Sequence, residues 1–357
     1  MKINILLPFP SRKPAGGTRV MYEYANRLAH LGHEVIFYHP LKVPNTNSVT
    51  PRPLKKIFYT IRKPPTWFKL SAKIKMRLIP EIQEEYIEDA DIIFFTWWAV
   101  AIEVAKLPPA KGIKYNLVQD LEFWNGSDDK VLASYRLPNT YQIAISTHIQ
   151  WYVSKYAVNP VEKILVAIDE KKYHIIKPIE ERDRGSICMM YSEEPRKGSI
   201  YGIEALKKAK EQVPPLKVTL FGTYEKPGDL PDFIEFVKNP PRLEEIYNNA
   251  AIFLGPSLQE GSALPPMEAM MCGCAVICTD IEGHAEYAIS GKTAITVTAK
   301  DTDAMCHEIV RLVSNPAKRV KIAAEANAFI KKFSWSTSIQ RLVTIWEKAL
   351  NQQYTNK

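Results

Sequence analysis

The sequence predicts an α/β protein built from two doubly wound domains, each with a parallel sheet covered by helices. The chain has 357 residues, which favours two domains over one. Short apolar runs alternate with helical patterns in the first half, as in sheets covered on both faces. The alternation restarts near residue 187, after a polar stretch at 170–185. We therefore place the hinge there and predict domains at 1–170 and 171–334.

The individual elements follow from hydrophobic periodicity. Residues 16–31 carry apolar side chains at helical spacing, and short apolar runs mark the strands. Strands are predicted at 3–7, 35–38, 92–95, 113–118, 143–146, 163–166, 187–191, 217–221, 233–237, 251–254 and 275–278. Helices are also predicted at 200–212 and 242–249. The end of the chain, 301–350, is predicted to be helical with breaks near Pro316 and at 333–335.

Composition narrows the class of protein. Hydrophobic residues make up 46% of the chain, the formal net charge is +8 and the pI is about 9.0, which favours anionic partners. The five cysteines fit neither a zinc site nor a disulfide framework, which indicates a reducing cytoplasm. We see no signal peptide, and the longest apolar run, 92–102, is too short to span a bilayer. A soluble, cytoplasmic protein is expected, with peripheral membrane contact left open.

The most informative stretch is 255–273, GPSLQEGSALPPMEAMMCG. A buried strand leads into a small-residue turn, and a helix can begin at the proline pair 265–266. A helix N-terminus after a tight loop is a ready anion site. Glu260 and Glu268 flank that loop, where carboxylates can hold the hydroxyls of a sugar and a ribose. A nucleotide-sugar site is the favoured interpretation; a surface loop before an amphipathic helix is the alternative.

This stretch resembles the glutamate–seven–glutamate motif of family 4 glycosyltransferases, which are retaining enzymes of the GT-B fold. The resemblance implies two Rossmann-like domains facing across a cleft, no metal, and a final helix, 335–357, that returns to the first domain. It implies that Glu260 contacts donor-sugar hydroxyls and Glu268 the ribose. The loop residues that it places beside the donor are Gly261, Ser262, Ala263 and Leu264. Ser and Ala replace a Phe-Gly pair of the family pattern, so the donor pose is expected to differ slightly.

A glycine pair, Gly16 and Gly17, follows the first strand and opens a helix. Without side chains, these residues let backbone amides approach a phosphate or the reacting centre. The segment 14–35 is similar to the first loop and helix of the family's N-terminal domain. A plain turn needs the same residues and is the alternative.

Two further carboxylates, Asp120 and Glu122, follow another predicted strand. The segment 118–124, VQDLEFW, resembles a Gln-Asp-x-Glu segment of a bacterial rhamnosyltransferase branch of family 4, and SYRLP follows at 134–138 as in that branch. The resemblance points to deoxythymidine diphosphate rhamnose as donor, with uridine and guanosine diphosphate sugars as the alternatives. The carboxylates can orient an acceptor hydroxyl or stabilise positive character at the sugar carbon. A helix-capping aspartate beside a solvated glutamate is the alternative.

A candidate phosphate-binding segment closes the first strand of the second domain. Residues 190–198, MYSEEPRKG, resemble the family segment that ends in Lys-Gly. Lys197 matches the lysine and would neutralise charge on the leaving diphosphate. Tyr191 stands where the family arginine is expected, so Arg196 is the candidate replacement. Gly222, after the next strand, is predicted to approach the nucleotide.

The segment 52–77 is a basic insert, with nine Lys or Arg residues, no acidic residue and interleaved aromatics. This pattern suits contact with an anionic membrane or a lipid-linked acceptor. A solvated connection with some aromatics tucked into the domain is the alternative. Nucleic acid is a weaker one because no recognisable binding motif is present.

The predicted function is therefore glycosyl transfer from a nucleotide diphosphate sugar to a hydroxyl of a glycan or lipid-linked acceptor, without a cofactor. The histidines are not spaced like metal ligands. Two competing hypotheses are a nucleotide-sugar epimerase of the same fold and a nucleotide-sugar binding protein without catalysis.

Overall fold

The chain divides into two compact units. The computed structural model describes residues 1–8, 14–43, 57, 67–123 and 126–355. Unit 1 comprises Met1–Val166 together with Ser338–Lys357, and unit 2 comprises Ala167–Thr337. The division falls after Val166, a few residues before the predicted hinge. Each unit contains a parallel sheet covered by helices.

Unit 1 is organised around seven parallel strands in the order β3-β2-β1-β4-β5-β6-β7. The strands are β1 (Lys2–Leu6), β2 (Glu34–Pro40), β3 (Lys75–Ile79), β4 (Ile92–Phe95), β5 (Ile113–Val118), β6 (Thr140–Ala144) and β7 (Glu162–Lys163). The central strands are almost wholly buried, which explains their continuous apolar runs. The strand order reverses between β1 and β4, and the carboxyl ends there form the usual ligand position of this architecture.

The helices of unit 1 cover this sheet. They are α1 (Gly16–His30), α2 (Trp98–Val104), α3 (Asp128–Tyr135) and α4 (Thr147–Ser154). The final helix, α10 (Trp335–Thr355), lies mostly in unit 1. Its Trp346 is fully buried, with ring centroids 5.3 Å from Phe94 and 6.0 Å from Tyr115. The predicted return of the C-terminal helix to the first domain is confirmed.

Unit 2 has six parallel strands in the order β10-β9-β8-β11-β12-β13. They are β8 (Ser186–Met190), β9 (Lys217–Gly222), β10 (Ile234–Lys238), β11 (Ile252–Gly255), β12 (Ala275–Thr279) and β13 (Ile295–Val297). The helices are α5 (Ser199–Gln212), α6 (Leu243–Asn249), α7 (Leu264–Met271), α8 (Thr302–Ser314) and α9 (Pro316–Ile330). The order reverses between β8 and β11, so this unit also has a switch point.

The observed elements differ from the predicted ones mainly at the ends of elements and at the edges of the sheets. The strand expected at 163–166 is only the two-residue β7, and α7 begins one residue before the proline pair. The sequence pattern missed β3, an edge strand whose side chains alternate between exposed and half-buried. Two basic residues on the exposed side interrupt its apolar pattern. Within the described ranges, no helix combines the length and hydropathy that crossing a bilayer requires.

Candidate functional site

In unit 2, the loops after β8 and β11 emerge side by side because these strands are hydrogen-bonded neighbours and parallel. This is the switch point, where ligands bind doubly wound sheets. Gly198 ends the β8 loop with φ +63°, and a Cβ there would lie 2.0 Å from the Pro256 carbonyl oxygen. The Leu258 amide donates to the Arg196 carbonyl at 2.7 Å. The two loops therefore contact each other through backbone atoms.

Lys197 and Glu260 form a partly buried ion pair between these loops, with side chains 16% and 7% exposed. The Lys197 ammonium lies 2.7 Å and 2.8 Å from the two carboxylate oxygens of Glu260. Ser257 Oγ donates to the same carboxylate at 2.8 Å, and Arg196 Nη1 lies 3.8 Å from it. Glu260 is only 8% exposed. The structure thus brings together two predicted residues, with Ser257 as a partner that the sequence reasoning did not single out.

The charge of Glu260 is stabilised against its burial. Burial alone would raise the pKa of Glu260, but the nearby Lys197 charge and the hydrogen bonds from Lys197 and Ser257 lower it below its ordinary value. The carboxylate therefore stays ionised at neutral pH. It can accept hydrogen bonds from sugar hydroxyls, which a protonated acid does less well.

His284 is close enough to this carboxylate to interact with it electrostatically. Gly283 packs so closely that a Cβ would be 2.3 Å from the Glu260 carbonyl oxygen. The His284 Nδ1 lies 2.8 Å from the Thr279 carbonyl oxygen, and burial lowers the pKa of the imidazole, which keeps it neutral. Its buried Nε2 has no hydrogen-bond partner among the described residues. With Nδ1 donating, Nε2 is left as a buried acceptor.

Glu268 lies within α7, and its side chain is 2% exposed. The Tyr247 hydroxyl donates to its Oε2 at 3.1 Å. Burial and the neighbouring carboxylate raise the pKa of Tyr247, so the phenol remains a donor. Tyr247 comes from α6, and this contact therefore fixes Glu268 against a second helix.

The predicted anion loop leads directly into α7. Gly261 and Ala263 are buried, and Ser262 Oγ lies 3.9 Å from the sulfur of Met267. Ala263 occupies the N-cap position, and its methyl side chain cannot accept from the first amides of the helix. Leu264 is the first helical residue. Residues 265 and 266 are prolines and carry no amide hydrogen, so the backbone donors at this end of the helix are the amides of Ala263 and Leu264.

Gly222 and Tyr191 pack against each other after β9 and β8. A Cβ on Gly222 would lie 2.4 Å from the Tyr191 carbonyl oxygen, so glycine is required by the close approach of the two strands. The Tyr191 ring packs against Tyr224 and Phe236, with centroids 6.4 Å and 5.7 Å away. Arg196 instead pairs with Glu194 at 2.8 Å. The position of the family arginine is thus occupied by an aromatic cluster.

In unit 1, Gln119 joins three loops at the carboxyl ends of β1, β4 and β5. Its amide nitrogen donates to the Gly17 carbonyl at 3.1 Å and to Thr96 Oγ1 at 3.2 Å. A Cβ on Gly17 would lie 3.3 Å from that nitrogen, whereas one on Gly16 meets nothing within 4 Å. The sequence resemblance included Gln119 in its Gln-Asp-x-Glu segment but assigned no role to it. Its position directly after a buried strand was the available signal.

Glu122 holds a strained turn in the same unit. It has φ +61°, and its Oε2 accepts from the Trp98 amide at 2.8 Å, at the start of α2. Trp97, just before, has φ +85°. Burial raises the pKa of Glu122 to about 8, partly offset by the Trp98 amide and reinforced by Asp120. Asp120 is half-buried, and its Oδ1 accepts from the Leu121 amide at 2.8 Å.

Part of the basic insert lies outside the described residues, which include only Ile57 and 67–77 of this segment. The rings of Trp67 and Phe68 pack on Tyr22 of α1, with centroids 5.8 Å and 5.4 Å away. Lys75 pairs with Glu34 at 2.8 Å. The end of the insert is therefore tied to unit 1.

Solved structures define the fold class. Sucrose-phosphate synthase from Thermosynechococcus elongatus superposes with a TM-score of 0.72 at 15% identity, covering 98% of this chain and 99% of that one. Anabaena HepE in complex with UDP and glucose gives 0.73 at 16% identity, covering 98% and 100%. The fold is that of the GT-B glycosyltransferases, which confirms the predicted fold class.

Sequence comparison finds glycosyltransferase similarity in unit 2. Residues 172–329 match the family model described as Glycosyl transferases group 1. The chain is 31% identical over 116 residues to D-inositol 3-phosphate glycosyltransferase of Rhodococcus opacus, covering 32% of this chain and 26% of that protein. It is 33% identical over 91 residues to the lipopolysaccharide core biosynthesis mannosyltransferase LpcC of Rhizobium leguminosarum, covering 26% of each. The chain spans about a quarter of the length of these curated relatives.

Proposed function

We propose that the protein is a glycosyltransferase that moves a sugar from a nucleotide diphosphate donor to a hydroxyl of a glycan or lipid-linked acceptor, with retention. The observation that carries this proposal is the Lys197–Glu260 pair at the switch point of a unit that matches a glycosyltransferase family. It offers a cation for a diphosphate and a carboxylate for sugar hydroxyls at one place. The retaining outcome rests on the family 4 resemblance.

In the proposed reaction, the bond between the sugar carbon and the diphosphate oxygen breaks with oxocarbenium character. The diphosphate leaves with the bonding electrons, and Lys197 with the amides of Ala263 and Leu264 stabilises its charge. The acceptor oxygen forms the new bond to the sugar carbon, and its proton passes to the departing diphosphate oxygen. Glu260 holds the sugar hydroxyls during this step, and Glu268 with the Tyr247 contact supports the ribose. We propose that no metal takes part.

In unit 1, Asp120 is proposed to orient the acceptor hydroxyl. Its half-buried carboxylate follows β5 at the carboxyl edge of the sheet. Glu122 is buried and bonded to the Trp98 amide, so it acts by holding the loop that carries Asp120. Gly16 and Gly17 keep the neighbouring loop open for backbone approach.

The donor is proposed to be deoxythymidine diphosphate rhamnose, from the branch resemblance at 118–124. Deoxythymidine lacks the ribose 2′-hydroxyl, so Glu268 would have only the 3′-hydroxyl to hold. A panel of uridine, guanosine and deoxythymidine diphosphate sugars in a thermal-shift assay tests this, since a ligand that binds the native state raises its stability. A larger shift with another nucleotide would replace the proposed donor.

The basic insert is proposed to contact anionic lipid, which fits peripheral attachment at the inner face of the cell membrane. The cluster of cations and aromatics in 52–77 supports this proposal. Vesicle co-sedimentation of the wild type and of a variant with the insert's Lys and Arg replaced by Ser tests it. Equal binding of the two proteins would exclude the insert as the contact.

The decisive experiment for activity replaces Glu260 with Gln, which keeps the size of the side chain and removes its charge. Transfer is expected to fall at least about 100-fold, since a residue that stabilises the reacting centre has effects of this order. Glu325→Gln, in α9, serves as the control. Activity of Glu260→Gln within a few-fold of wild type would contradict the assignment. Sugar interconversion without acceptor would indicate the epimerase, and saturable binding without turnover the inactive binding protein.

A further inference from the structure

One face of α4 in unit 1 exposes aromatic rings with cations stacked on them. Trp151 is 63% exposed, and the Lys155 ammonium lies 3.1 Å from its ring centroid. Tyr152 and Tyr156 are one helical turn apart, with centroids 5.5 Å from each other. Lys155 and Tyr156 directly follow the last residue of α4, and the pattern extends to Phe123 and Arg136 in neighbouring segments. We name the whole surface the α4 face; it comprises Phe123, Arg136, Trp151, Tyr152, Lys155 and Tyr156.

The α4 face continues onto adjacent elements. The Arg136 guanidinium, at the end of α3, lies 5.3 Å from the Tyr156 ring centroid. The Phe123 ring meets Tyr152 edge-on at 5.7 Å. Phe123 directly follows Glu122 in the chain. The rings therefore form a row from the Asp120 loop to Tyr156, and the Lys155 ammonium, 5.7 Å from the Tyr152 centroid, links this row to the exposed indole.

The fold does not require an aromatic surface at this place. The opposite side of α4 packs through Ile149 and Val153, both fully buried. These two side chains fix the helix to the sheet, whereas most of the Trp151 ring remains in water at a cost in hydrophobic free energy. An exposed aromatic group held by cations is typical of a surface that meets a partner.

The charge and the ring types favour an anionic lipid surface as that partner. Tryptophan and tyrosine concentrate at the headgroup level of membranes, where an apolar ring body and a polar edge are both satisfied. Lys155 and Arg136 add attraction to anionic headgroups. Acidic groups are close as well: Asp128 lies near Tyr152, and Glu162 is paired with Arg341 at 2.7 Å.

We infer that the α4 face docks on the surface of an anionic bilayer, with the Trp151 indole in the headgroup layer. The docking stands independently of the proposed activity and of the basic insert. The position of the α4 face is consistent with the proposed function, because the row of rings leads to the Asp120 loop. A lipid-linked acceptor would then be presented to that loop by the membrane on which the enzyme sits.

The test is flotation of the full chain with vesicles of phosphatidylcholine plus phosphatidylglycerol, compared with phosphatidylcholine alone. Wild type is expected to float with the anionic vesicles and to be released by raised salt. Trp151→Ser/Lys155→Ser is expected to reduce binding at least about fivefold, because it removes both the ring and its cation. Thermal unfolding of the double variant is measured beside it, to show that it is folded.

The matched control is Leu31→Ser/Lys321→Ser, which also removes one exposed apolar side chain and one cation. Leu31 is 59% exposed and the Lys321 side chain 77%. This control is expected to bind like wild type. The inference is overturned if wild type does not bind anionic vesicles, if the α4 variant binds within twofold of it, or if the control loses as much. If only the insert variant loses vesicle binding, the membrane contact lies in 52–77. If the wild type binds a soluble oligosaccharide but no vesicles, and the α4 variant does not bind that oligosaccharide, the α4 face is a glycan site.

Discussion

Replacing Lys197 with Met is expected to destabilise unit 2 strongly, apart from any effect on activity. The change leaves the Glu260 carboxylate, 8% exposed, without the ammonium that lies 2.7 Å away. Breaking a buried ion pair by removing one partner typically costs about 3–5 kcal/mol. Arg196, with Nη1 at 3.8 Å, can offset part of this, so we expect about 3 kcal/mol.

Differential scanning calorimetry measures this effect. For a unit of this size, a loss of about 3 kcal/mol lowers Tm by about 6–12 °C. Lys321→Met is the control, because its exposed pair with Glu325, at 4.0 Å, contributes at most about 1 kcal/mol. Adding Glu260→Gln to Lys197→Met is expected to restore part of the loss, since it removes the unpaired charge. A Tm within about 2 °C of wild type for Lys197→Met would refute the reasoning.

Two further predictions concern backbone and pH. Gly198→Ala is expected to lower Tm strongly, because the added Cβ would lie 2.0 Å from the Pro256 carbonyl oxygen and the residue has φ +63°. Gly228→Ala is the control, since its added Cβ would meet nothing within 4 Å. Equal changes in Tm for the two variants would contradict the prediction. Burial raises the pKa of Glu122 from 4.5 to about 8, so the folded protein keeps a proton that the unfolded chain loses, and stability falls as pH rises between these values. Glu122→Gln removes this titration. Relative to wild type, its free energy of unfolding is expected to rise by roughly 3 kcal/mol between pH 5 and pH 8. Urea unfolding measures both proteins, and a difference between them that is the same at both pH values would argue against the prediction.

The sequence was most informative where a residue's role follows from its own neighbourhood. Continuous apolar runs predicted the buried parallel strands, because both faces of those strands pack against helices. Edge strand β3 was not predicted because its exposed side carries charged residues. The positions of Glu260 and Lys197 could be expected from their loops. That they pair with each other depends on the adjacency of β8 and β11, which no local pattern contains.

Contacts between distant segments account for the rest. Gln119 reaches Gly17 across 102 positions of the chain, and Tyr247 reaches Glu268 across 21. Neither partner has a composition or spacing that indicates the other. The positive φ of Glu122 could not be predicted from the sequence either, since a glutamate rarely adopts that conformation.

The backbone contact between the β8 and β11 loops has a consequence for engineering the proposed donor site. Gly198 lies against Pro256, and Leu258 donates to the Arg196 carbonyl, so each loop supplies part of the other's support. Transplanting either loop alone from a related enzyme would break this mutual fit. The two loops therefore act as one unit, and chimeras designed to change the proposed donor should exchange both loops together.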